Sequence, residues 1–220
     1  STQGRSSAGS EGYKGQADGQ GVADEFEKGV KSAGGKAVGR EFTNDKATDF
    51  TAILTSLKAK KPDIIFFGGM DAVAGPMLRQ MKQLGINAKF MGGDGICSGE
   101  LPKLAAGTMA DGQVVCAEAG GVEGEGKKSM DDFKVAFKKK FNTDVQLYAP
   151  YVYDAVNVMV SGMVKAGSAD PAKYLPELAK INHKGVTGTI AFDDKGDIKN
   201  GALTLYTYKG GNREQIAVVR

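Results

Sequence analysis

Only one histidine and two cysteines occur in 220 residues, and each shortage closes off a class of chemistry. His183 lies in a polar Asn-His-Lys stretch, so a Ser-His-Asp or Cys-His machine would have to be built on it alone. No G-x-S-x-G elbow is present, and a surface position is the expectation for this histidine. Cys97 and Cys116 belong to no C-x-x-C pair and stand far from His183, so no zinc or redox site is expected and no cofactor is called for. One disulfide in an oxidising compartment and two buried free thiols both fit a spacing of this kind. No run approaches the ~18 apolar residues that span a bilayer. Residues 1–21 hold no apolar stretch resembling a signal peptide, so an exported protein would already have lost its signal. Charge of one sign is not gathered anywhere: 29 basic and 26 acidic residues are interspersed, which argues against a nucleic-acid partner. Lys138 to Lys140 read as the wet side of an amphipathic helix.

What the chain has in quantity is glycine, 32 residues, placed at the ends of apolar runs where tight turns and close backbone approach need it. The opening, STQGRSSAGSEGYKGQADGQG (1–21), has no apolar periodicity and reads as a flexible or non-native leader outside the fold. From Val22 onward an alternation sets in. Val22, Phe26 and Val30 are spaced as a helix, KAVGREF (36–42) as a strand, and Phe50, Ile53, Leu54 and Leu57 as a helical stripe. DIIFFGG (63–69) is a continuous apolar run closed by glycines, the pattern of a strand buried on both faces of a parallel sheet. A helix over 72–84, a strand in KFMGGDG (89–95), a short helix near 100–106 and a strand in GQVVCA (112–117) follow. Strand starts recur every ~25 residues, the length of one βα unit. The fold class is therefore α/β with a doubly wound, mostly parallel sheet.

Beyond Gly121 helices dominate. Met130, Phe133, Phe137 and Phe141 form one stripe; helices over 150–166 and 171–180 follow, the latter opened by Pro171 in the favoured first turn. TGTIAFDDKGD (187–197) reads as a strand and turn, and ALTLYTYKGG (202–211) as the edge strand of a hairpin. Helices over 126–180 outnumber the strands available to cover them.

Two motifs compete as sites. GVEGEGKK (121–128) matches G-x-x-x-x-G-K, but Lys128 stands where a magnesium-reaching Ser or Thr belongs, and Glu123 and Glu125 put carboxylates where phosphate oxygens would lie. A solvated loop is the better reading. Asp94, in GGDG (92–95), directly follows an apolar strand at the carboxyl edge of the sheet, where open α/β folds place ligands. Its carboxylate, set beside Gly93 among glycine N–H groups, has two readings: it pairs with a ligand ammonium, or it caps the next helix. Asp71, after FFGG, poses the same choice.

Three segments in order, DIIFFGGMDAVAGPMLRQMKQLGINAKFMGGDGI (63–96), YAPYVYDAVNVMVSGM (148–163) and TGTIAFDDKGDIKNG (187–201), resemble the branched-chain amino-acid-binding proteins of bacterial ABC transporters. The resemblance runs from about Gly19 to the carboxyl terminus. It implies a type I periplasmic-binding-protein fold in which two lobes clamp an amino acid without chemistry, no enzyme activity, a periplasmic location and a membrane permease as partner. It places the family's ammonium-accepting acidic residue on Asp94, its ligand-contacting aromatic on Met70, and its first-lobe approach to the cleft near Tyr148, Tyr151 and Tyr153, for which helix packing is an equal account. Carried over, 22–119 is the second-lobe core, 120–200 the carboxyl-terminal part of the first lobe, and 201–220 the return. One lobe is then nearly complete and the other partial.

The family's carboxylate-holding first-lobe segment and the first strand of the second lobe are not identifiable, and Y-G-x-G is replaced by DGQG (18–21). A truncated or re-engineered chain is thus expected, binding a small aliphatic amino acid weakly or not at all on its own and prone to self-association. The alternative is a scaffold fragment with a structural role.

Overall fold

The computed structural model describes residues 5–9, 17–120 and 125–219. They fall into two compact units, the first within Ser1–Glu118 and Thr204–Ala217 and the second within Ala119–Leu203 and Val218–Arg220.

The first unit is built on a seven-stranded sheet. Its strands are β1 (Arg5–Gly9), β2 (Lys36–Glu41), β3 (Ile64–Phe67), β4 (Lys89–Gly92), β5 (Val114–Ala119), β8 (Leu203–Lys209) and β9 (Asn212–Val219), in the order β2-β1-β3-β4-β5-β8-β9. The pairs β1 with β2, β1 with β3, β3 with β4 and β4 with β5 are all parallel. Between them run α1 (Ala17–Ser32), α2 (Thr51–Ala59), α3 (Asp71–Gln83) and the short α4 (Leu101–Leu104).

Alternation along the strands shows why the sheet needs helices on both faces. Ile65 and Phe67 of β3 and Phe90 of β4 point into one cluster with Leu54 and Leu57 of α2, Val73, Met77, Leu78 and Met81 of α3, and Leu101 of α4. The intervening Phe66 and Met91 point the other way, onto Ala23 and Phe26 of α1, where the Phe26 and Phe66 rings stack at 4.1 Å. Each fully buried Leu, Phe or Met contributes on the order of 1.5–3 kcal/mol, so the DIIFFGG run is hydrophobic throughout because both of its faces are covered. At the start of α2 the N-cap residue Phe50 carries no side chain able to cap, and Asp49 before it accepts from Thr51 N at 2.9 Å; the Phe50 amide is met from another helix. Gln80 of α3 adds to this, its Oε1 accepting from Phe50 N at 2.6 Å while its Nε2 donates to the Thr48 carbonyl at 2.9 Å.

Two expectations are corrected here. Residues 1–21 were read as a leader with the first strand missing; over the described residues, Arg5–Gly9 is a strand between β2 and β3, and α1 begins at Ala17. RSSAG has no apolar run to announce it, and its place is fixed by backbone pairing on both sides. The second correction concerns 202–211, read as the edge of a hairpin. β8 is interior and β9 is the edge, the two joined at Gly210 and Gly211, whose φ of 54° and 76° suit a two-residue primed turn.

The second unit holds α5 (Glu125–Phe141), α6 (Ala149–Ala166), α7 (Pro171–Leu178) and a two-stranded antiparallel sheet of β6 (Asn182–Lys184) and β7 (Thr189–Ala191). Helix α6 ends at Gly167 in the left-handed region, φ 60°. Helix α7 starts on Asp170, whose carboxylate accepts from Ala172 N at 3.0 Å, with Pro171 in its first turn. His183, expected in a surface stretch, is half-buried in β6 opposite Ile190. Of GVEGEGKK, 121–124 lie outside the described residues, and the remainder opens α5.

Candidate functional site

The carboxyl ends of β3 and β4 meet at a corner built of glycines. Gly19 of α1 and Gly68 after β3 approach so closely that a Cβ on either would collide with the other's carbonyl. A Cβ on Gly95 would meet the Gly69 carbonyl at 2.6 Å and Met70 Sδ at 2.9 Å, and one on Gly93 would touch Val22 Cγ1 at 3.9 Å. At Gly19, Gly68 and Gly95 the backbone is packed too tightly for a side chain, while Gly93 has ordinary contact distance. The turn after β4 is thereby drawn against the turn after β3.

At that corner stands Asp94, the first residue of a single 3-10 turn, Asp94–Ile96. It is exposed, and among the described residues its carboxylate has no hydrogen-bond or ion-pair partner. The capping alternative is not realised: the turn is closed by backbone alone, Cys97 N donating to the Asp94 carbonyl at 2.9 Å and Ile96 N to that of Gly93 at 3.4 Å. Met70 is half exposed and lies against Gly95. Asp71 is different. Its carboxylate accepts the Ser98 hydroxyl, tying the first turn of α3 to the end of the Asp94 loop. In the first unit, Met70, Asp71, Gly93 and Asp94 therefore come together, with one free carboxylate among them.

Below the corner the loop is anchored. Ile96 and Cys97 are fully buried, and Cys97 is disulfide-bonded to Cys116 of β5, with Cα atoms 5.4 Å apart. The single hydroxyl proton of Tyr208 of β8 is shared between the carbonyls of Ser98 (2.8 Å) and Ile96 (3.1 Å). Burial pushes the Tyr208 phenol far above its ordinary range, with Arg213 pulling against the rise and Asp71 and Glu118 adding to it. Arg213 of β9 donates to the Cys97 carbonyl at 2.6 Å and to Glu118 at 2.8 Å. Sequence reading missed Ser98, Tyr208 and Arg213, since they reach the turn from the neighbouring loop and from more than a hundred residues away. Gly19 had a signal in the DGQG sequence.

The tyrosines belong to the second unit. Tyr151 donates its hydroxyl to the Ala119 carbonyl, and Tyr153 packs on Phe133 of α5 at 5.1 Å. This unit contains a cavity of about 1200 Å³ lined in part by Tyr151, Val158, Leu178 and Ile181. Asp154 lines it too, but is 1% exposed, and its carboxylate accepts from Val186 N, Thr187 N and Thr187 Oγ1 at 2.6–2.9 Å. That charge is spent on holding the loop from β6 to β7. Among the described residues no group of three or more His, Cys, Asp or Glu could hold a metal ion, and no helix is long and apolar enough to cross a membrane.

Comparison with known proteins places this geometry. The family model described as periplasmic binding protein matches residues 1–212. The chain is 34% identical over 199 residues to the leucine-, isoleucine-, valine-, threonine- and alanine-binding protein of Pseudomonas aeruginosa, covering 90% of this chain and 52% of that protein. It is 33% identical over 196 residues to Leu/Ile/Val-binding protein homolog 1 of Brucella abortus, covering 88% of this chain and 51% of that one. The chain thus spans about half the length of the curated relatives it matches. The leucine-binding protein LivK of Thermotoga maritima superposes with a TM-score of 0.84 at 23% identity over 98% of this chain and 60% of its own. LivJ of Streptococcus pneumoniae, solved in complex with isoleucine, gives 0.79 at 24% over 98% and 59%. These likenesses show a type I periplasmic-binding-protein fold, present here in part.

Proposed function

The chain belongs to the periplasmic binding protein family, and we propose that it captures a small aliphatic amino acid for an ABC importer, with Asp94 accepting the ligand ammonium. The observation that carries this is the Asp94 carboxylate: exposed, without a partner, at the carboxyl edge of a parallel sheet and framed by Gly93, Gly95 and Met70. An ammonium satisfies such a carboxylate by a charge-assisted hydrogen bond. Met70, half exposed beside Gly95, offers an adaptable apolar surface to the ligand's side chain. Asp71, one oxygen of which is held by Ser98, stands beside Asp94 as a further candidate for the ligand. The relatives, one a leucine-, isoleucine-, valine-, threonine- and alanine-binding protein and the other a Leu/Ile/Val-binding protein homolog, support the same substrate class.

In the whole protein, closure of two lobes on the ligand would shift the population toward a closed form. We place that protein in the periplasm, with a membrane permease as its partner and binding without covalent change as its activity. Titration with L-leucine tests the reading: Asp94→Asn should weaken binding at least about tenfold, a loss of ~1.4 kcal/mol or more, and equal affinities for both forms would refute it.

A second reading, association between copies, is favoured by the α6 stripe of Val152, Val156, Val160 and Val164, which are 59%, 56%, 50% and 74% exposed. Sedimentation should then show a dimer that dissociates when Val156 and Val160 are both replaced by Ser; a monomer at high concentration contradicts it.

A further inference from the structure

The Asp94 side chain has no partner of its own among the described residues, so its direction is inherited from its backbone, and that backbone is held from a distant part of the chain. Three consecutive carbonyls just after it are each bonded by a side chain of the β8–β9 hairpin. Tyr208 shares its hydroxyl proton between those of Ile96 and Ser98, at 3.1 and 2.8 Å, and Arg213 takes that of Cys97, at 2.6 Å. The chain of contacts then closes on the site, because Cys97 N–H donates to the Asp94 carbonyl at 2.9 Å.

Arg213 is itself fixed. Its guanidinium pairs with the nearly buried Glu118 at 2.8 Å and lies over the Tyr206 ring, 4.3 Å from the centroid. The Cys97–Cys116 disulfide decides where Cys97 sits; a single covalent tie leaves the neighbouring peptide planes free to rotate. Hydrogen bonds to three successive carbonyls set those planes. All the residues involved lie in the first unit.

We propose that Tyr208 and Arg213 are positioning residues for Asp94, fixing the ligand-binding carboxylate from the hairpin without touching ligand. The inference rests on the reading of Asp94 as the ammonium acceptor. It gives the hairpin control over affinity, since a carboxylate misdirected by a fraction of an ångström loses the geometry of a charge-assisted bond.

The test uses the full chain with Tyr208→Phe, which keeps the buried ring and loses only the hydroxyl, and Arg213→Met. Amide hydrogen exchange is read at Ile96 and Cys97, with Lys89 and Phe90, whose amides bond to the Asp63 and Gln113 carbonyls, as references in the sheet. Both variants should exchange at Ile96 and Cys97 at least about tenfold faster, with the references unchanged. L-leucine should bind at least about fivefold more weakly to Y208F, and Y208F should weaken it no further in an Asp94→Asn background, because residues acting through one group do not add.

Unchanged exchange at Ile96 and Cys97 in Y208F overturns the proposal, as does acceleration at the reference amides to the same extent, which marks general destabilisation. If Asp94→Asn weakens leucine binding and Y208F does not, the positioning role fails and the ligand reading stands. If leucine binding is indifferent to Asp94→Asn, the ligand reading fails and takes the positioning role with it. Where R213M does not fold, Y208F alone decides.

Discussion

At the scale of single residues, the sequence singled out a group by what surrounds it in the chain, and the structure shows what surrounds it in space. Asp94 was legible because an apolar strand, two glycines and an acid stand in a row, a pattern with a place in an α/β sheet. Whether that acid is free or engaged was not legible, as Asp71 shows: it follows the same kind of strand, yet its carboxylate is taken by Ser98, 27 residues on. Tyr208 carried no signal at all, being one aromatic in an alternating strand. Its burial yields a measurable consequence. A phenol whose ionisation is raised in the fold stays neutral at pH values where the unfolded chain ionises, so its contribution to stability is complete below the ordinary value of 10.0 and is lost as pH rises above it. The thermal midpoint should therefore fall above pH 10, and Y208F should lower the midpoint at neutral pH while flattening that alkaline decline. A decline equally steep in Y208F would show that Tyr208 is not its source.

At the scale of elements, periodicity was a good guide wherever burial is one-sided or complete. The helices α2 and α3 and the strands β3, β4 and β5 follow apolar patterns that burial in the structure explains, whereas α7 buries no residue and the Val152, Val156 and Val160 stripe of α6 is exposed. Periodicity failed for β1 and β6, and for the same reason. RSSAG and Asn-His-Lys have no hydrophobic run, and both are strands because neighbours offer them a backbone ladder. A strand held by pairing alone is invisible to hydrophobic pattern.

The disulfide illustrates a different limit, since two cysteines 19 residues apart fit a bridge or two thiols equally, and only the pairing of β4 with β5 brings their Cα atoms to 5.4 Å. A crosslink closing a loop of that size is worth about 3 kcal/mol through the unfolded chain. Urea unfolding with and without reductant should differ by about that amount, and the difference should vanish in the Cys97→Ala/Cys116→Ala double variant. A reductant effect that persists in the double variant would contradict the assignment.

At the scale of the whole molecule, the family and its sheet were readable over most of the chain, because several segments occur in the family's order. The chain spans about half the length of its curated relatives, and the two units differ in how well they cover their own apolar surface. The first unit encloses most of its large apolar residues in clusters on the two faces of β3 and β4, with Phe42, Met70 and Ile216 left about half exposed. In the second, Val135, Val152, Val156, Val160 and Val164 are at least half exposed, which agrees with the sequence's excess of helices over strands.

The account stands or falls on the exposed Asp94 carboxylate as the ammonium acceptor, and the most direct measurement is an amide chemical-shift titration with L-leucine, which registers weak binding as readily as tight. The account predicts saturable shifts at Gly93, Asp94 and Gly95 in the native chain and their loss in Asp94→Asn. Shifts confined to other residues, or the same titration curve in both proteins, would contradict it.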